Sequence, residues 1–385
     1  RRLANLERQR ILDEYAEVLK TIAYLEELLA NPRRVMVLIK EESVNLKTKF
    51  GDDRRTEISA QGEVEFHEED LIPHARVVVT LSTRGFVKRV PSQLYSLQHR
   101  GGKGIVGMPT REDDAVRLLT VTDTHDNLLF FTNRGRVFRL KCYELPDGSS
   151  RLAKGIAVIN LFPIAETEKV TDIVAVTTFT PDTSLLLATG RGEIKKTASD
   201  KFAIVRSNGL IAMDVEEGDD LVAARLATEK DEVMMITQKG QSIRFTAASL
   251  RSSQRTSGGV SGIRLAADDK VVTMEVAHPE GFLLTVTGSG FGKLTPIEEY
   301  PLQKRAGSGV RTFKLTDKTG DVVATKITAL TQQVMMISAQ GMVIQTPVKE
   351  KDPKKGITTL GRSTQGVKLM NLDEGDKLVA VTVFD

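Results

Sequence analysis

The apolar positions of this chain change their spacing once, near residue 70. Before that point they follow a helical period. Leu12, Tyr15, Leu19 and Ile22 fall three or four residues apart, Leu29 returns to the seam after Glu26 breaks it, and Ile11, Val18, Leu25 and Leu28 widen the stripe. This predicts an amphipathic helix over 1–30 whose apolar face needs a partner, within its own domain or in a coiled coil. Asn31-Pro32 predicts a stop and a restart, because Asn caps a helix N-terminus and proline suits the first helical position. Val35, Leu38, Ile39 and Leu46 continue the period, and Gly51 reads as a left-handed terminator. Asp52-Asp53-Arg54-Arg55 reads as a connector and Glu63-Val64-Glu65-Phe66 as a short strand, so 31–70 is helix and linker.

From residue 71 short apolar runs alternate with glycine turns, and the pattern repeats. An apolar strand, a turn ending in glycine and a strand with cations recur six times, with the glycines at 85, 135, 192, 240, 290 and 341. The first copy runs Val77-Val78-Val79-Thr80 to Gly85-Phe86-Val87-Lys88, and the second Leu128-Leu129-Phe130-Phe131 to Gly135-Arg136-Val137-Phe138-Arg139. Each glycine is the expected turn residue of a hairpin. Between 17 and 25 residues further on, a second glycine and a branched aliphatic head another strand, from Gly104-Ile105 to Gly366-Val367. Each repeat has room for about four strands. Six four-stranded sheets in a ring, each covering its neighbour's apolar face, close such a pattern, so 71–385 is predicted to be mainly β and six-bladed. Periodicity alone leaves the strand order open.

Composition changes this picture only in places. No run approaches the 18 apolar residues of a membrane-spanning helix. Cys142 is the only cysteine, which excludes a disulfide framework and fits a reducing cytosol. The start, Arg1-Arg2-Leu3, reads as a chain cut from something longer. The net charge of +3 is uneven: residues 1–70 carry 12 Lys/Arg against 16 Asp/Glu, and residues 71–385 carry 42 against 35. The basic excess belongs to the repeats, and it is too mild to establish a nucleic-acid partner alone.

The richest chemistry is Gln98-His99-Arg100-Gly101-Gly102-Lys103-Gly104. Glycines let successive N–H groups face an anion, and Arg100 and Lys103 stand beside them, which suits a phosphate. The equivalent stretches of other repeats are thinner: Arg151-Leu152-Ala153-Lys154-Gly155, Arg206-Ser207-Asn208-Gly209, Ser257-Gly258-Gly259 and Arg305-Ala306-Gly307-Ser308-Gly309. Cations recur after the hairpin turns, at Lys88, Arg89, Arg136, Arg139, Lys195, Lys196, Lys239, Arg244 and Lys293. One cation per hairpin at similar depth would draw a basic stripe around the ring. Solubility and protection of outer strands explain any single one as well.

Other chemistries find no support in the sequence. The five histidines, His67, His74, His99, His125 and His278, lack metal-ligand spacing. His125-Asp126 has no nucleophile beside it and reads as a surface turn. Asp113-Asp114, Asp219-Asp220 and Asp268-Asp269 read as turn residues rather than catalytic pairs. Gly101-Gly102-Lys103-Gly104 lacks the spacing of a nucleotide-binding P-loop, so no cofactor is expected on this chain.

With these residues in view, the chain resembles the carboxy-terminal part of the DNA gyrase A subunits, a family of type IIA topoisomerases. Gln98 to Gly104 is similar to the family's diagnostic box, Gln-Arg-Arg-Gly-Gly-Lys/Arg-Gly, with His99 in place of an arginine. Arg84-Gly85-Phe86-Val87-Lys88-Arg89 before the box, and Leu29-Ala30-Asn31-Pro32 and Phe50-Gly51-Asp52-Asp53-Arg54-Arg55-Thr56 upstream, are also similar. The resemblance implies a six-bladed β-pinwheel in which neighbouring blades exchange strands, after the end of a coiled coil. It implies that double-stranded DNA wraps on a basic rim, to which the box, the hairpin cations and Arg305 would contribute, so that strand passage introduces negative supercoils. It implies a gyrase B subunit that uses ATP and Mg2+, a second copy of the A subunit in an A2B2 assembly, and a cytoplasmic, chromosome-associated place. The cleaving tyrosine would lie upstream of residue 1, so Tyr15, Tyr24, Tyr95, Tyr143 and Tyr300 are not candidates, and the fragment alone is not expected to be catalytic. The corresponding domain of topoisomerase IV is the nearest alternative, although its box is usually degraded; a protein-binding propeller is the next.

Overall fold

All six hairpins form around their glycines in a computed structural model that describes residues 2–53, 56, 68–92, 105–106, 116–147, 155–349 and 356–384. The predicted strand at Glu63–Phe66 and the box at Gln98–Gly104 lie outside the described residues. The chain divides into two units, residues 1–66 and 67–385.

The first unit holds two helices, α1 (Arg2–Ala30) and α2 (Pro32–Phe50). They part at Asn31, whose side-chain oxygen accepts from the Arg33 N–H at 3.2 Å. Along α1 the side chains of Ile11, Leu12, Tyr15, Val18, Leu19, Ile22, Leu25 and Leu29 are exposed. Gly51 ends α2 in an extended conformation (φ −69°, ψ 127°), so the left-handed terminator is not found. Space calls for glycine instead, because a Cβ would lie 2.2 Å from the Lys47 carbonyl oxygen.

The second unit is a ring of six antiparallel four-stranded sheets. In blade 1 the inner strand is Val116–Asp123, the second Arg76–Ser82, the third Phe86–Pro91 and the outer Ile156–Ala157. In the same order, blade 2 has Val170–Val176, Asn127–Thr132, Arg136–Lys141 and Leu210–Ile211. Blade 3 has Leu221–Ala227, Ser184–Thr189, Glu193–Ala198 and Val260–Ser261. Blade 4 has Val271–Ala277, Glu232–Thr237, Gln241–Thr246 and Val310–Arg311. Blade 5 has Val322–Thr328, Phe282–Thr287, Phe291–Pro296 and Val367–Lys368. Blade 6 has Leu378–Phe384, Gln333–Ser338, Met342–Pro347 and Ile105–Val106.

The outer strand of each blade comes from the stretch that follows the next blade's hairpin, so neighbouring blades exchange strands. Ile105–Val106, directly after the box, pairs with Met342 and Val343 and closes the ring.

The middle positions of the second strands are apolar on both faces, Thr80 and Thr285 excepted, because both faces are covered. Leu128 and Phe130 pack with Val77, Val79 and Leu81 of blade 1, while Leu129 and Phe131 pack with Leu185 and Leu187 of blade 3. One such core fills each joint of the ring. The hairpin turns need a left-handed residue, as at Gly135 (φ 75°), and there a Cβ would also strike the Met213 carbonyl at 2.1 Å.

Candidate nucleic-acid interface

The third strands carry the hairpin cations, and their register decides where each side chain points. Alternate positions face opposite sides of a sheet. At the third position stand Lys88, Phe138, Lys195, Ile243, Lys293 and Ile344, and at the fourth Arg89, Arg139, Lys196, Arg244, Leu294 and Gln345, blade by blade.

The fourth-position cations reach the neighbouring blade. Arg89 Nε donates to the Leu145 carbonyl at 2.8 Å, and Arg139 donates to that of Ala203 and lies over Phe179. Lys196 Nζ donates to the Ala247 carbonyl at 3.2 Å, and Arg244 to those of Ile297 and Tyr300, both at 2.8 Å. Every acceptor belongs to the short 3-10 turn, or its cap, after the third strand of the following blade. These turns expose carbonyls that need donors, and one cation per blade supplies them through blades 1 to 4. Lys196 also pairs with Glu229 at 2.8 Å, and Arg244 with Glu232 at 2.6 Å.

The third-position lysines turn inward. Lys88 and Lys293 are fully buried and Lys195 is 2 % exposed. Lys195 Nζ donates to the carbonyls of Ala212 at 3.0 Å, Ser257 at 2.9 Å and Arg255. Lys293 Nζ donates to those of Gly361 at 2.6 Å, Arg362 at 2.7 Å and Thr364 at 3.1 Å. Burial pulls each of the three ammonium groups down to about 8.

A solvent-facing stripe of hairpin cations is therefore not what the fold builds: Lys88, Lys195, Lys196 and Lys293 are interior, and Arg89, Arg139 and Arg244 are held in joints. Arg136 is partly so, donating to Glu168 at 2.7 Å and to the Asn208 carbonyl at 2.6 Å. Lys239 is exposed, 3.5 Å from Asp321.

The outward cations sit in the loops that lead into the exchanged outer strands. Their arginines keep a fixed distance from the glycine that opens the strand. Arg255, Arg305 and Arg362 precede Gly259, Gly309 and Gly366 by four residues, and Arg206 precedes Gly209 by three. Arg100 and Arg151 have the four-residue spacing before Gly104 and Gly155, outside the described residues. Arg206 and Arg305 are exposed, and Arg255 and Arg362 half-buried. Glycine lets the loop descend onto the third strand: a Cβ on Gly309 (φ 72°) would lie 2.2 Å from the Ser242 carbonyl. Of this series only Arg305 and the box arginine belong to the expected site; the spacing to the second glycine was the signal for the others.

The family described as DNA gyrase C-terminal domain, beta-propeller, matches residues 76–123, 126–177, 183–228, 231–278, 281–329 and 332–385, one segment per blade. The chain belongs to this DNA gyrase family. It is 55% identical over 379 residues to the DNA gyrase A subunit of Dehalogenimonas lykanthroporepellens, covering 98% of this chain and 47% of the relative. It is 39% identical over 386 residues to that of Staphylococcus aureus, covering 100% and 42%. The chain thus spans about half the length of the curated relatives it matches. A solved DNA gyrase A C-terminal domain superposes with a TM-score of 0.72 at 25% identity, over 80% of this chain and 100% of that one. The C-terminal domain of a DNA topoisomerase IV shares the fold, with a TM-score of 0.61 at 20% identity over 82% and 94%.

The centre of this gyrase-family ring holds a polar network that the sequence reading missed. The inner strands surround a cavity of about 670 Å³, lined by Arg117, Asp172, Arg225, Thr273, Lys326 and Ala380 among others. Arg225 donates to Asp172 and Glu275, each at 2.7 Å, and Lys326 to Glu275 at 3.1 Å, which links blades 2 to 5. Arg225 and Lys326 hold the Glu275 carboxyl below its ordinary range against the opposing effect of burial. Its signal was a charge at the fifth place of three successive inner strands.

The acidic pairs act as turn residues. Asp219 accepts from the Arg191 N–H at 3.0 Å, and Asp269 from that of Lys239 at 2.9 Å; Asp113-Asp114 lies outside the described residues. His125-Asp126 is a turn too, with His125 stacked on His74 at 3.8 Å between ring centres. No cluster of metal-ligating side chains occurs among the described residues.

Proposed function

We propose that the ring binds the backbone of duplex DNA along its outer edge and curves it. The single observation that carries this is the loop arginine repeated once per blade beside each exchanged strand. Phosphate recognition needs cations at regular spacing and no base readout. Bending costs roughly 1–6 kcal/mol for a 20–30 bp stretch turned through 40–90°, so several contacts must offset it. The contact set in this reading is Arg100 and Lys103 of the box with Gln98, His99 and its glycines, then Arg151, Arg206, Arg255, Arg305 and Arg362, with Lys239 and Arg136 at the margin. Lys88, Arg89, Arg139, Lys195, Lys196, Arg244 and Lys293 act from inside.

Within a whole gyrase, such a wrap delivers a curved segment to the cleavage gate with fixed handedness, and strand passage turns that handedness into negative supercoils. In this reading two copies of the gyrase A chain assemble in the cytoplasm with B chains that use ATP and Mg2+, and this part of the molecule is not catalytic alone. Salt-titrated binding to linear duplex, together with resealing of nicked circles in the presence of the chain, tests it. Salt-sensitive binding and a shifted linking number are expected. Absence of binding at low salt would leave a protein-binding propeller as the better account.

A further inference from the structure

Buried lysines ordinarily meet a carboxylate. Lys195 and Lys293 do not: among the described residues neither makes an ion pair, and their acceptors are main-chain carbonyls, joined for Lys293 by the Thr364 hydroxyl at 3.0 Å. Those carbonyls include the ones of Arg255 and Arg362, so each ammonium lies under a loop that carries an outward arginine. The charged groups facing them are few. Asp214 acts on Lys195, and Glu299 and Arg362 act on Lys293, whose ammonium also lies 5.1 Å from the Phe313 ring centre. Carbonyl dipoles solvate a cation without neutralising it.

We propose that Lys195 and Lys293 are positioning residues of the DNA-binding edge, each fixing the arginine-bearing loop above it and supplying positive charge that is not taken up in an ion pair beneath the phosphate that this loop receives. The inference rests on the reading of the edge as a duplex-DNA surface. Lys88, at the same register in blade 1, is the third member by position, whereas blades 2, 4 and 6 have Phe138, Ile243 and Ile344 there. Support is thus alternate: every second blade carries an internal cation.

The consequence is proton linkage. Each free ammonium titrates at about 8, and a phosphate placed above it favours the charged form. Binding then takes up protons, and affinity falls as pH rises through that value. Folding stability moves the other way: unfolded lysine titrates near 10.4, so above pH 8 the unfolded chain holds more protons and stability rises with pH. Carboxyl and guanidinium groups do not titrate in this range.

The test measures binding of the whole chain to a linear duplex at constant ionic strength from pH 7 to 9.5, with thermal unfolding followed in parallel. Wild-type affinity should fall by up to about ten-fold per lysine between pH 7 and 9, with no loss of melting temperature. The K195M/K293M double variant should bind more weakly at pH 7 and keep only the share due to Lys88. The K195R/K293R double variant should bind fully at pH 7 with the same flattened profile. Wild-type affinity that holds to pH 9.5, or methionine variants with unaltered affinity and profile, would overturn the proposal even if the methionine variants prove hard to fold. No binding by the wild type at pH 7 and low salt would instead sink the DNA reading, and this inference with it.

Discussion

The third strands and the exchanged-strand loops carry the same kinds of basic residue, and the fold sends them in opposite directions. Arg244 on a third strand ends on two carbonyls of the next blade, while Arg305, in a loop over the same blade, stays in solvent with one bond to the Ser261 carbonyl at 3.0 Å. The difference lies in what covers each element. A third strand is roofed by its neighbour blade, so a cation there must find acceptors or bear the full cost of desolvation. The loop into an exchanged strand is held from beneath by its main chain, which leaves Arg206 and Arg305 exposed and Arg255 and Arg362 half-buried. Recurrence of charge therefore marks two tasks, fastening and reaching, and burial tells them apart.

Removing an interior charge should give the largest effect. Arg225→Met strands Asp172, leaves Glu275 with Lys326 alone and should lower stability by about 3–5 kcal/mol, while DNA affinity per folded molecule is unaltered; denaturant titration and binding measured together check this. Arg244→Met breaks one joint and should cost about 2–3 kcal/mol; a loss of affinity without loss of stability would erase the distinction between the two sets. Changing Arg206, Arg255, Arg305 and Arg362 together to Ala should leave the melting curve in place and reduce the slope of log K against log salt by about 3–4. An unchanged slope would move the contacts elsewhere. The pH effect is spread over three sites: stability should rise between pH 8 and 9, by up to about 1 kcal/mol for each of the three buried lysines as it discharges. Burial pushes Cys142 and Tyr300 up to about 12, so each opposes this rise as its unfolded counterpart ionises, the thiol from about pH 8.5 and the phenol from about pH 10.

Much of the ring was legible in the sequence. The six hairpin glycines fix turns, the second glycines fix the outer strands, and the continuous apolar runs announce strands covered on both faces. Strand exchange was not legible from period, because a two-residue outer strand such as Val260–Ser261 has no pattern of its own, and only the resemblance supplied it. The direction of the cations was hidden for a related reason. Lys293 between Gly292 and Leu294 looks like an edge charge until the loop at 361–364 is laid over it. The inner network was visible as isolated charges in apolar strands, but nothing local says that Arg225 and Glu275, fifty residues apart, meet.

The closing pair of Ile105–Val106 with Met342 and Val343 joins residues 236 or more apart along the chain. Loop-closure entropy makes such a contact late and costly to form. Every blade borrows its outer strand, so no run of consecutive repeats contains a finished blade at both ends. A chain shortened by one repeat would leave one third strand without its cover and one outer strand without a sheet. The ring should accordingly melt as one cooperative unit rather than blade by blade, unlike open arrays whose repeats fray from their ends.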